Sequence, residues 1–119
     1  MKVIIAGSRE FINKDYLFEI MDNLHKKYSI TEVVSGGAKG ADRLGQDWAY
    51  CNDIPTKVML ADWAKFGRGA GPKRNSEMLA YADKLVAFWD GVSSGTGDII
   101  TKATRMNKVL SICYYLEEK

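Results

Sequence analysis

The sequence predicts an α/β domain: a Rossmann-like three-layer sandwich whose parallel five-stranded sheet, ordered 3-2-1-4-5, lies between helices. Three observations predict it. Short apolar or β-branched runs alternate with segments of helical periodicity along the whole chain. Glycines close three of those runs, at Gly7, Gly36-Gly37 and Gly91. Strands joined by helical crossovers form parallel sheets with right-handed connections, which leaves few topologies for this pattern. A chain of 119 residues that is 46% hydrophobic suits one domain, residues 1–119, with a real core.

Taken in order, residues 3–6 (VIIA) are continuously apolar, as a strand buried on both faces is. The run is too short for a secretory signal or a membrane span. Residues 15–28 carry Leu17, Phe18, Ile20, Met21, Leu24 and Tyr28 at spacings of three and four, one helical stripe. Residues 31–35 (TEVVS) are β-branched and stopped by two glycines, a second strand. Residues 41–52 are helical, with Leu44, Trp48 and Cys51 on one face. Residues 56–60 make a third strand, and residues 61–71 an irregular stretch holding Trp63 and Phe66. Those two aromatics suit either stacking on a base or a lid packed by its own rings. Pro72 is expected as the first residue of a helix that runs to about Ala82. Residues 84–89 (KLVAFW) form a fourth strand, 90–96 a turn, 97–106 a helix and 108–113 the fifth strand.

That strand order reverses direction between strands one and four. Ligands of such folds sit beyond the carboxyl ends of the strands at the reversal, so three loops are expected to meet there. The stretch SGGAKGAD supplies Ser35, Gly36, Gly37, Gly40, Ala41 and Asp42, trimmed of side chains at the start of a helix. Free N–H groups and the positive end of the helix dipole suit a phosphate in that place. Asp42 would either complement the dipole or accept from ribose hydroxyls, and Lys39 reads as solvated. The spacing matches neither the dinucleotide fingerprint nor the Walker loop.

Gly7, Ser8 and Arg9 follow the first strand, and Arg9 offers a fork-shaped donor for phosphate. Arg74 and Asn75 fall at a helix start, where a cation opposes the dipole at up to about 1 kcal/mol unless an anion is near. Asp90, Gly91, Ser94, Gly95 and Thr96 form the third loop, with Thr96 a ligand contact, the helix N-cap or both. Phosphate would lie over residues 36–42 and 94–96, with Arg9 and Arg74 as counter-charges and Asp42 or Asp90 at the ribose.

Composition narrows the alternatives. A net charge of +2 argues against a protein that coats nucleic acid or a membrane surface. Cys51 and Cys113 lack metal spacing and suit reduced thiols in a cytoplasmic protein. The single histidine, His25, is expected on the surface without a partner, which leaves no nucleophilic triad. No metal site is expected.

The segments AGSREF, VVSGGAKGADRLGQDWA, ADWAKFGRGAGPKRNSEML and GTGDIITKA occur in an order that resembles the SLOG superfamily, and within it the small YspA-like proteins. The resemblance spans about residues 3–113. It implies a Rossmann-like fold and a site that binds or senses a nucleotide-derived molecule such as ADP-ribose, an NAD relative or a nucleoside monophosphate. Its relatives imply a homodimer. Arg74 with Met78, and Gly95-Thr96, also resemble motifs of the Lonely guy phosphoribohydrolases, which implies N-glycosidic hydrolysis as an alternative, with Arg74, Asp42 and Asp90 as candidate catalytic groups. Ile99 stands where those enzymes carry a glutamate, and Asp98 is one residue early, about 100° round the helix. Gly7-Ser8-Arg9 and residues 35–42 resemble the Smf/DprA proteins, which implies single-stranded DNA as a further alternative. The near-neutral charge does not favour it.

Overall fold

The computed structural model describes residues 1–116. Its strands are β1 (Lys2–Gly7), β2 (Glu32–Ser35), β3 (Thr56–Val58), β4 (Lys84–Trp89) and β5 (Val109–Tyr114). Its helices are α1 (Lys14–Tyr28), α2 (Ala41–Cys51), α3 (Trp63–Phe66), α4 (Ala70–Tyr81) and α5 (Ser94–Arg105), with a 3₁₀ turn at Gly67–Gly69. The strands pair in the order β3-β2-β1-β4-β5, and every pairing is parallel.

The alternation of side chains along a strand explains why β1 reads as continuously apolar. Val3 and Ile5 turn to one face, where they join Val33, Val86 and Phe88 with Leu17 and Met21 of α1 and Trp48 of α2. Ile4 and Ala6 turn to the other, against Met78 and Leu79 of α4 and Ile99 and Ile100 of α5. The sheet is therefore sandwiched, α1 and α2 on one side and α4 and α5 on the other.

Four expectations are corrected. Pro72 is the third residue of α4, which begins at Ala70. The first N–H groups of a helix have no intrahelical acceptor, so proline costs nothing anywhere in that turn. Residues 61–71, expected to be irregular, hold α3 and the 3₁₀ turn, with the Asp62 side chain accepting from Lys65 N–H to start them. The third strand stops at Val58, and all three of its residues are exposed, as befits a short edge strand. His25 has partners: its Nδ1 accepts from Ile30 N–H at 3.0 Å, and its ring stands edge-on to Trp48.

Candidate functional site

Helix α5 starts three residues earlier than its periodicity suggests, and the cause is Asp90. Its carboxylate accepts from the N–H groups of Val92 and Ser93 and from Ser93 Oγ, which closes the turn behind β4. Burial opposes ionisation of Asp90, but these bonds outweigh it and hold the carboxyl below its ordinary range. Ser93 is the N-cap residue, and Thr96 lies in the first turn of the helix. Of the two roles open to Thr96, the cap is thus corrected.

The loop after β1 is tied to its neighbours. Ser8 is buried, donates its N–H to Phe88 carbonyl oxygen at 3.1 Å and accepts from Asp90 N–H at 3.4 Å. Gly40 has φ +79°, and a Cβ there would stand 2.3 Å from Ser8 carbonyl oxygen. Gly36 is flanked by side chains instead: its Cβ would lie 2.5 Å from Arg74 Nη1 and 2.8 Å from Asp42 Oδ2. The trimming of SGGAKGAD therefore serves the protein's own atoms. Above Gly36 sit a guanidinium and a carboxylate, and against Gly40 runs the backbone of the neighbouring loop.

Arg74 reaches across from α4 and donates through Nη1 to Gly36 carbonyl oxygen at 2.9 Å and to Met59 carbonyl oxygen at 3.3 Å. Its Nε donates to Asn75 Oδ1, while Asn75 Nδ2 donates to Gly95 carbonyl oxygen and Asp98 Oδ2. Burial pulls the Arg74 guanidinium below its ordinary pKa and Asp42 pushes it back up, while Arg9 adds a further lowering. Both arginines thus face one region. Arg74 grips the β2 loop, whereas Arg9 is exposed.

Beyond the end of β1, between α4 and α5, these elements bound a cleft of about 690 Å³, a size suited to a small molecule. Of the residues expected at a site, Gly7, Ser8, Arg9, Asp42, Arg74, Asn75, Ser94, Gly95 and Thr96 line it. Ser35, Gly36, Gly37, Gly40, Ala41, Asp90 and Gly91 do not. Ser35 is fully buried, its hydroxyl engaged with Asp42 carbonyl oxygen, Gly37 N–H and Gln46 Nε2. Lys39 is exposed.

Trp63, Arg68 and Asp98 also line the cleft; base stacking was one of two roles expected of Trp63, whereas Arg68 and Asp98 were not expected there. Asp98 falls one turn after Ser94, so the helical repeat already put it beneath the loop residues. Its carboxylate is held by Asn75 and by Lys102 Nζ at 3.1 Å. Ile99, at the glutamate position of the hydrolase motif, is buried and brings no carboxylate.

Asp42 is only 5% exposed. Burial raises its carboxyl from 3.8 to about 6, although Ala38 N–H at 3.3 Å and the nearby Arg74 charge pull it down. A carboxyl raised on folding stabilises the fold below its unfolded pKa, and that contribution is lost as pH rises through the folded value. The rise from 3.8 to about 6 corresponds to about 3 kcal/mol lost between roughly pH 4 and 7.5. Asp42→Asn keeps an acceptor for Ala38 and cannot ionise. Urea denaturation across that window should therefore show the wild type losing stability relative to Asp42→Asn as pH rises. A difference independent of pH would contradict the burial argument.

Residues 1–66 match the family described as YspA, cpYpsA-related SLOG family. The chain is also similar to the Gene 61 protein of Mycobacterium phage D29, with 34% identity over 111 residues that cover 87% of this chain and 89% of that protein. No solved structure matches it.

Proposed function

We propose, from the premise that the chain belongs to the YspA, cpYpsA-related SLOG family, that it binds a small phosphate-bearing nucleotide-type molecule in the cleft between β1, α4 and α5. Domains of this family are associated with nucleotide-derived ligands.

The observation that carries the reading is the open first turn of α5. Ser94, Gly95 and Thr96 line the cleft, and the first intrahelical bond runs from Gly97 N–H to Ser93 carbonyl oxygen. The N–H groups ahead of Gly97 have no acceptor within the helix, and the dipole places positive potential there. Gly95 has no atom within 4 Å of the place a Cβ would occupy, so a ligand can approach the backbone. Arg9 supplies a guanidinium on the same cleft.

The phosphate is assigned to α5 rather than to residues 36–42, because the space above Gly36 is already filled by Arg74 and Asp42. Arg74 is a structural grip, and Arg9 is the counter-charge. A charge-assisted bond of this kind is worth about 1.5–3 kcal/mol, so Arg9→Ala should weaken AMP and ADP-ribose roughly 10- to 100-fold with an unchanged melting temperature. Isothermal titration with both nucleotides tests it. Absence of heat with the wild type, or equal affinity in Arg9→Ala, would overturn the assignment.

A further inference from the structure

We propose that the indole of Trp63 is a stacking platform for the base of the ligand, which makes it a specificity-determining residue of the cleft. The inference rests on the reading above, that a nucleotide-type molecule places its phosphate at the start of α5.

Trp63 lines the cleft and is 53% exposed. Its ring is nevertheless seated. A Cβ on Gly71 of α4 would stand 3.1 Å from Trp63 Cη2 and within 4 Å of Cζ2 and Cζ3. The φ of Gly71 lies outside the left-handed region, so the backbone there accepts any residue. Glycine weakens a helix, and at position 71 its compensation is room for the indole against the α4 backbone.

The second aromatic of this segment is already covered. The ammonium groups of Lys65 and Lys73 lie 5.2 and 5.0 Å from the centre of the Phe66 ring. Among the described residues, no such cation and no second ring meets Trp63. An indole with one edge fixed and much of its surface in water is the arrangement that accepts a planar π-system, and bases of any identity stack on one. The same cleft offers Arg9 and the α5 turn to an anion. A flat ring at one end and a phosphate at the other is the chemistry of a nucleoside phosphate.

The test compares AMP with ribose 5-phosphate, the same molecule without its base, against the wild type, Trp63→Ala and Trp63→Phe. Stacking of one base predicts that Trp63→Ala weakens AMP roughly 5- to 100-fold, leaves ribose 5-phosphate unchanged, and is largely rescued by Trp63→Phe. Retained ribose 5-phosphate binding also shows that the variants are folded. Equal AMP affinity in wild type and Trp63→Ala would overturn the platform and leave the phosphate assignment standing. Parallel losses for both ligands would also overturn it, by reducing Trp63 to a packing role. A wild type that binds neither molecule would overturn both readings.

Discussion

Gly40→Ala is expected to lower the stability of this protein by about 2–6 kcal/mol, from two sources. The first is backbone strain: Gly40 holds φ +79° and ψ −131°, a region essentially closed to residues with a Cβ, at about 1–3 kcal/mol. The second is steric. The new methyl would stand 2.3 Å from Ser8 carbonyl oxygen and 2.6 Å from that of Arg9, and backbone has no rotamer into which to retreat. Forced displacement in a packed site costs about 1–3 kcal/mol more. Gly91→Ala separates the two, since Gly91 has φ +89° with no atom within 4 Å of its Cβ position. Denaturant titrations should show Gly40→Ala costing clearly more than Gly91→Ala. Equal costs would mean that φ alone dictates the glycine, and that the tight approach of the β1 and β2 loops is not the constraint.

Arg74→Ala is the second large effect, expected at about 2–4 kcal/mol. The variant loses charge-assisted bonds to Gly36 and Met59 carbonyl oxygens and leaves Asn75 Oδ1 without its donor. It also strips Asp42 of its nearest compensating charge, and removing one member of a buried charged set is where such costs concentrate. The sign of the pH dependence follows. Without Arg74 the Asp42 carboxyl rises further above 6, so the variant gives up more stability than the wild type when Asp42 is made to ionise. The penalty should be smallest near pH 5 and grow toward pH 8. Thermal melts across that range measure it, and a shift on the order of 10 °C is expected at the upper end. A penalty that shrinks with pH would show that Arg74 and Asp42 do not share an environment.

The two arginines illustrate how far the site was legible. Arg9 follows directly on the central strand, and its place at the sheet edge follows from topology alone. Arg74 is also near that edge and lines the cleft, but the dipole argument that marked it as a ligand contact said nothing of its grip on the protein's own backbone. Its guanidinium finds its acceptors in Gly36 and Met59, 38 and 15 positions away. No local spacing announces a partner at that distance. Asp90 shows the opposite difficulty: its partners are its immediate neighbours Val92 and Ser93, and a turn-forming carboxylate looks in sequence like a free one. Trp63 lay in a stretch without periodicity, so only the Gly71 backbone beneath it reveals where its ring rests.

What the sequence determined by itself is the architecture. The alternation of apolar runs with helical stripes is a local property, and the handedness of crossovers leaves β3-β2-β1-β4-β5 as its simplest closure. The same reasoning located the edge at which the loops gather. Only the tertiary structure decided what occupies the space around the glycines. Helices from the far half of the chain bring Arg74 and the start of α5 to that edge. A glycine records that something comes close, but having no side chain it carries no mark of whether the visitor is a ligand or the protein itself.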